Sequence, residues 1–317
     1  EQKRIVAKVD ELMALCDRLG AQQQERDTRY TALARASLVR FSDAPTPANL
    51  NNLFHHSYSI DPADLRKIIL TLAVQGKLVP QNVDDEPAES LNHRILLSLK
   101  TIAERVGARF TKPSAMIESC DDLPAGWGVA HLQSVGITQT GTTPSKSEPN
   151  FEGNHIPFIK PGDIKGDVID YENEGLSIDG LRAGRLIPRD SILMVSIGGS
   201  IGKTALVNRD VSCNQQINSV TPAACIEPRF ILAAIRSQDF QNEVINRAAQ
   251  CTLPIISKSK WETIRIPIPP LAEQRRIVAK VNQLMGLVDQ LESQLTASRA
   301  SAANLMDAIV VELTLQE

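Results

Sequence analysis

The strongest constraint on this chain is a heptad pattern that occurs twice. In the segment Glu273–Leu295 the apolar residues are spaced alternately four and three residues apart, which places them in one stripe along a helix. Residues 1–19 repeat this segment, since 13 of these 19 positions are identical to residues 273–291. The stripe consists of Ile5, Val9, Leu12, Cys16 and Leu19 in the first copy and of Ile277, Val281, Leu284, Val288, Leu291 and Leu295 in the second. Because such a stripe requires another helix, we expect the two copies to pair as an antiparallel coiled coil.

The sequence between the two copies changes in composition and in predicted secondary structure along its length. Residues 1–42 are predicted to form one long helix, and residues 43–120 a linker with further amphipathic helices. In residues 121–268, short β-type runs alternate with Gly, Pro and Asn, interrupted by a helix predicted over Pro228–Ala249. The predicted strands are Ile156–Lys160, Ile192–Ile197, Ala205–Val207, Gln216–Val220 and Thr263–Ile268. Residues 269–317 return to a long helix, so we predict an α+β fold with a mixed α/β domain between two long helices.

Composition and charge narrow the setting of the protein. An apolar content of 42% over 317 residues is typical of a globular chain, and a net charge of −3 provides no global attraction to nucleic acid or to anionic membranes. No apolar run is long enough to cross a bilayer, and no signal peptide opens the sequence, so we predict a cytoplasmic protein without a membrane partner. The five scattered cysteines contain no CxxC pair, which favours reduced thiols. The second copy follows the proline-rich lead-in Ile266–Ala272 and the first has none, so we expect a longer natural polypeptide.

Motifs for catalysis or for a bound cofactor are weak. The segment Gly198–Thr204 resembles a phosphate-binding loop, but the pattern requires Gly where Ile197 stands, and Ala205–Val207 is predicted to be a strand rather than a helix. The one Pro-Pro pair, Pro269-Pro270, lacks the Asn or Asp and the aromatic residue of a methyltransferase motif. Adjacent His55 and His56 have no further ligand at a metal-binding spacing. We therefore predict no catalytic residue, no metal and no cofactor on this chain.

Ordered motifs across the chain point to one family. They are Leu65-Arg66, Gln75–Gln81 and Asp85–Ala88, then Leu123–Trp127 (LPAGW), Gly141–Pro144 (GTTP), Ile156–Ile164, Ile201–Lys203, Asn214-Gln215 and finally Pro267–Lys280 (PIPPLAEQRRIVAK). Each motif is weak by itself. In this order, with the repeat flanking them, they are similar to the second half of the specificity subunit of type I restriction-modification systems.

This resemblance implies a division of labour. The mixed domain would be a target recognition domain that reads one half of a bipartite site on double-stranded DNA. The long helices would set the spacing and dock methyltransferase subunits, and through them the restriction subunit. S-adenosylmethionine and ATP would then bind only to those partner subunits. The chain departs from the family in having two long helices and a single recognition domain, so a homodimer could restore the second domain. The alternative is a coiled-coil scaffold for protein partners.

Charge is a weak guide to the residues that would contact DNA. Residues 121–270 contain 14 Lys and Arg against 16 Asp and Glu, a net charge of −2. DNA binding would therefore need locally concentrated cations and polar side chains that can pair with base edges, as Asn and Gln do with adenine. The candidates are Lys160, Lys165, Arg182, Arg185, Arg189, Lys203, Lys258 and Lys260, together with Gln139, Thr140, Thr142, Thr143, Asn214 and Gln215. A solvated surface charge or a turn-forming residue remains the alternative for each of them.

Overall fold

The computed structural model describes residues 1–44, 46, 48–49, 60–113, 115–145, 147–248 and 253–315; the side chains at 35, 42, 149, 299 and 309–315 are not described. His55 and His56, for which no metal site was predicted, lie outside these residues. Within the described part, no helix is both long and apolar enough to cross a membrane.

Long helices stand at both ends of the described chain, and short helices and strands fill the middle. The helices are α1 (Gln2–Asp43), α2 (Pro62–Val74), α3 (Asn92–Val106), α4 (Leu132–Val135), α5 (Ile178–Ala183), α6 (Pro228–Arg236), α7 (Gln238–Arg247), α8 (Lys258–Glu262) and α9 (Leu271–Leu315). The strands are β1 (Glu118–Ser119), β2 (Gly128–His131), β3 (Gly136–Thr140), β4 (Glu152–Ile159), β5 (Ile164–Lys165), β6 (Val168–Ile169), β7 (Gly175–Leu176), β8 (Ile192–Val195), β9 (Thr204–Leu206), β10 (Ser212–Cys213), β11 (Ile217–Pro222) and β12 (Arg265–Ile268). The predicted mixed fold with a long helix at each end is confirmed.

The chain divides into two compact units. The first contains residues 1–68 and 285–317, and the second contains residues 69–284. In the first unit, Leu38, Leu65 and Val288 are buried. Arg66 on α2 bonds to two carboxylates of α9, Asp289 at 2.7 Å and Glu292 at 2.6 Å. This forked ion pair fixes the start of α2 against α9.

The sheets of the second unit are small and mostly antiparallel. The largest has the order β3-β11-β8-β9, and a second has the order β10-β4-β7, in which β10 and β4 run parallel. A third sheet joins β1, β2 and β12, while β5 and β6 form a two-stranded hairpin. Apolar side chains from the first two sheets form one core, which includes Ile159, Leu193, Val195, Ala205 and Ile217. Through Ile159 and Cys213, this core holds the ends of β4 and β10 in fixed positions.

The helix predicted over Pro228–Ala249 is in fact two helices, so this prediction was wrong. The break falls at Ser237, whose extended backbone (φ −60°, ψ 151°) ends α6. Its hydroxyl donates to the carbonyl of Ala234 at 2.7 Å and accepts from the backbone N–H of Phe240 at 3.4 Å. Ser237 therefore acts as the N-cap of α7, which the helical spacing of the flanking apolar residues concealed.

The two copies of the heptad stripe have different surroundings. In the second copy Ile277, Val281 and Val288 are buried, and Ile277 is 0% exposed. In the first copy Ile5 is 58% exposed, and Val9, Leu12 and Leu19 are also exposed. Every side chain of residues 1–33 is exposed, so the expected pairing of the two stripes is not found over these residues. A heptad pattern shows that a helix requires a partner but does not identify the partner.

Candidate nucleic-acid interface

Two of the predicted DNA-contact residues meet where parallel strands end. In the β4–β10 pair, Ile159 lies opposite Cys213, and Lys160 and Asn214 are the next residues of the two strands. The backbone N–H of Asn214 donates to the carbonyl of Ile159 at 3.1 Å. Because parallel strands end at the same edge of a sheet, residues 54 positions apart in sequence become neighbours.

The segment after β3 runs directly against this edge. The N–H of Gly141 donates to the carbonyl of Ile217, and the N–H of Thr142 donates to that of Cys213, both at 2.9 Å. A Cβ atom at position 141 would lie only 2.1 Å from the carbonyl oxygen of Asn214. Any side chain other than hydrogen would thus push the two backbones apart, which explains the Gly of the Gly141–Pro144 motif.

Side-chain hydrogen bonds connect these segments into one surface, which we call the polar edge: Thr140, Thr142, Thr143, Arg185, Asn214 and Gln215. Arg185 Nη1 donates to the carbonyl of Thr140 at 2.7 Å. The hydroxyl of Thr143 donates to Gln215 Oε1 at 2.5 Å, and the hydroxyl of Thr140 donates to Asn218 Oδ1 at 2.8 Å. The polar edge therefore brings together six predicted residues from three separate stretches of sequence.

Asn214 and Gln215 have different environments within the polar edge. Asn214 is buried, its Oδ1 accepts from the N–H of Gln216 and its Nδ2 donates to Gln216 Oε1 at 3.0 Å. The N–H of Ile217 donates to the carbonyl of Asn214 at 3.2 Å, which closes a β-turn over residues 214–217. Gln215 stands exposed at the tip of this turn. Asn214 is therefore committed to the turn, and Gln215 is free to face a ligand.

The buried thiol of Cys213 lies directly behind the polar edge. Burial raises the pKa of this thiol to about 12, and the nearby positive charge of Arg185 acts in the opposite direction. The thiol therefore stays protonated and packs as an apolar group in the core.

Most of the other predicted cations already have an acidic partner. Lys160 bonds to Glu174, and the remaining pairs are Lys165–Asp170 at 3.2 Å, Arg182–Asp179 at 2.8 Å, Arg189–Asp190 at 3.5 Å and Lys258–Glu262 at 2.5 Å. Lys260 donates to the carbonyl of Arg247, and Lys203 is exposed in the turn between β8 and β9. Within the described residues, no hydrogen bond or ion pair joins Lys165, Arg182, Arg189, Lys203, Lys258 or Lys260 to the polar edge.

The stretch that resembles a phosphate-binding loop is a hairpin turn. Ile197–Lys203 connects β8 to the antiparallel strand β9, and the left-handed conformation of Gly202 (φ +86°) helps to form the turn. The prediction of a strand after this stretch is confirmed. A phosphate-binding loop instead leads into a helix, whose N-terminus supports the phosphates.

A second polar cluster, which the sequence analysis did not predict, lies where α9 begins. Glu273 is buried, and its carboxylate accepts from the indole N–H of Trp127 at 2.9 Å and from the side-chain amide of Gln81 at 2.7 Å. One turn further along, Arg276 bonds to Asp85 at 2.5 Å. These contacts join the Leu123–Trp127 turn and the loop before α3 to the start of α9. These residues belong to the motifs that carry the family resemblance, but the motifs do not predict that they contact one another.

The buried carboxylate of Glu273 predicts a pH-dependent contribution to stability. Burial raises the pKa of Glu273 above its ordinary value of 4.5, so the folded state holds this proton more tightly than the unfolded state. The stability advantage of the wild type over Glu273→Gln should be largest in acid and should shrink as pH rises through the folded pKa. Urea unfolding from pH 4.5 upward measures this difference. Glu104→Gln on the exposed face of α3 is the control, and an advantage that grows with pH would contradict the expectation.

Comparisons with known proteins identify the family of this chain. The sequence profile of the type I restriction modification DNA specificity domain matches residues 124–298, and the chain belongs to that family. The type I restriction enzyme EcoAI specificity subunit of Escherichia coli is 25% identical, over 98% of this chain and 56% of its own length. The HindI specificity subunit of Haemophilus influenzae is 36% identical, over 46% and 33% of the two chains. The chain thus spans about half the length of the curated relatives it matches.

One solved structure also aligns with part of this chain. The crystal structure of the HsdS subunit from Thermoanaerobacter tengcongensis aligns with 65% of this chain and 47% of its own, at 24% identity and a TM-score of 0.43.

Proposed function

We propose that this chain is a non-catalytic DNA-specificity subunit of a type I restriction-modification complex. Its mixed domain would read one half of a bipartite site on double-stranded DNA. The observation that carries this proposal is the family match over the domain that bears the polar edge. The similar EcoAI and HindI proteins are specificity subunits of type I restriction enzymes, and we propose the same role for this chain. We propose the cytoplasm as its location.

The long helices would separate the recognition domains and receive partner subunits. A helix of 45 residues, such as α9, is about 67 Å long at ~1.5 Å per residue. This length exceeds one turn of DNA, ~34 Å, so a helix pair could hold two recognition domains over separate half-sites. Methyltransferase subunits, and through them the restriction subunit, are the proposed partners. S-adenosylmethionine and ATP would bind to those subunits and not to this chain.

We also propose that two copies of this chain associate. The exposed apolar stripe of α1 supports this proposal, because Ile5, Val9, Leu12 and Leu19 lie in water in the single chain. A two-fold axis would let the same stripe serve both partners and would place two recognition domains in one assembly. Such a dimer would read the same half-site twice, inverted about a spacer.

A coiled-coil scaffold for protein partners is the second candidate function. The exposed stripe of α1 would suit it equally well. It gives no role, however, to the exposed amide of Gln215 and the guanidinium of Arg185 on the polar edge. We therefore favour DNA recognition.

DNA binding at several salt concentrations tests the proposed function. Alone, the chain should bind DNA weakly and with only a shallow dependence on added salt, because a domain with net charge −2 neutralises few phosphates. With its methyltransferase partner the affinity should rise by orders of magnitude and depend on sequence. Tight, sequence-specific binding by the isolated chain at physiological salt would contradict this division of labour, and equal affinity for all sequences in the complex would contradict specificity.

A further inference from the structure

We propose that Arg185 and Gln215 are the base-reading pair of the recognition domain and that each of them recognises the major-groove edge of a purine. This inference rests on the proposed function and assigns it to two side chains. Thr140 and Thr143 hold these two side chains through hydrogen bonds.

The Lys and Arg side chains of the domain differ in whether they remain available to contact DNA. Among the 13 described Lys and Arg residues of the range 121–270, seven have a carboxylate partner, and Arg185, Lys203, Arg209, Arg229, Lys260 and Arg265 have none. Arg209 stacks on the ring of Tyr171, and Lys260 is bonded to a backbone carbonyl. Arg185 is the one of these six that a described hydrogen bond joins to the polar edge. Its charge is therefore available where the polar side chains converge.

Arg185 is held at the polar edge by a hydrogen bond to the backbone. One of its N–H groups is bonded to the carbonyl of Thr140, which anchors the guanidinium and leaves further donors unused by this bond. The side chain is exposed, so these donors are accessible. A guanidinium fixed on one side can pair through two donors with O6 and N7 of guanine.

The side-chain amide of Gln215 is also oriented by a hydrogen bond. Its Oε1 already accepts a hydrogen bond from Thr143, which orients the amide, and a carbonyl oxygen has a second lone pair. Among the described residues, its Nε2 makes no hydrogen bond. An oriented amide with one free donor face and one free acceptor site can pair with N7 and the amino group of adenine.

The two side chains are also close enough together to enter a single groove of DNA. Arg185 is anchored at Thr140 and Gln215 at Thr143, and three residues of extended chain span at most ~11 Å. The major groove is about 12 Å wide. The two anchors therefore fit within a single groove, and the buried Asn214 stabilises the turn that carries Gln215.

The test uses the full chain assembled with its methyltransferase subunits. The wild-type complex first selects its half-site from random DNA. Arg185→Ala should then lose selectivity at one guanine position and Gln215→Ala at one adenine position, each by about 5- to 150-fold, with little change in binding to non-specific DNA. Arg185→Lys should not restore the guanine preference, since Lys lacks the forked donor geometry. Arg182→Ala, three residues away and paired with Asp179, is the matched control and should select the wild-type motif.

A measurement on unmodified protein guards against variants that fold poorly. Replacing the selected guanine or adenine with its 7-deaza analogue removes the N7 acceptor, so wild-type binding should weaken at those positions. If the wild-type complex selects a motif but both variants select it equally well and 7-deaza bases have no effect, the base-reading pair is refuted and the proposed function stands. If the wild-type complex selects no motif, the proposed function itself fails.

Discussion

Replacing Ile277 with Asp should lower the free energy of unfolding by about 3–5 kcal/mol, because an unpaired charge would be buried at a position with no exposed side-chain surface. The internal repeat supplies the matched control. Ile5 occupies the equivalent position in the first copy but is 58% exposed, so Ile5→Asp should change the unfolding free energy by less than about 0.5 kcal/mol in the monomer. Denaturant titration at low protein concentration measures both.

Comparing the unfolding free energies of the two variants separates the effect of the heptad spacing, which both positions share, from the effect of their surroundings, which differ. The two residues are chemically identical and lie in nearly identical local sequence. Equal losses for the two variants would mean that α1 is also covered in the monomer, which contradicts the described exposure of residues 1–33.

Replacing Leu12 with Asp should abolish self-association without destabilising the single chain. Burying a leucine contributes about 1.5–3 kcal/mol, and a two-fold interface contains this residue twice. The dimer dissociation constant should therefore rise by roughly 100-fold or more. Sedimentation or light scattering over a range of concentrations measures this change.

The control for this experiment is Gln24→Asp, which introduces the same charge on the same helix but off the stripe. It should dimerise like the wild type. A wild-type chain that remains monomeric at tens of micromolar would refute self-association and leave the stripe of α1 to the methyltransferase partner.

The sequence predicted the helices better than it predicted their contacts. Asp61 and Pro62 signal a helix start, and in the structure the N–H of Ala63 donates to Asp61 Oδ1 at 2.8 Å where α2 begins. The start and the length of α9 likewise follow from local residues. The partner of a stripe depends on residues elsewhere, so the exposure of Leu12 could not be predicted from its spacing.

The candidate site was predicted as residue types but not as an arrangement. Arg185 and Gln215 were two of many candidates, and no local sequence signal ranked them above Arg189 or Gln139. What distinguishes them is the parallel pairing of β4 with β10 and the hydrogen bonds to Thr140 and Thr143, which join distant stretches of the chain. The cluster of Trp127 with Glu273 was missed for the same reason, since 146 residues separate them.

The most direct test of DNA recognition is selection from random double-stranded DNA by the chain assembled with its methyltransferase subunits. We expect enrichment of a split motif, two short specified halves separated by an unspecified spacer of constant length. If two copies of this chain provide the two recognition domains, the halves should be inverted repeats of each other. Recovery of unenriched DNA after repeated rounds, by a complex shown to be intact, would contradict the claim that this chain is a specificity subunit.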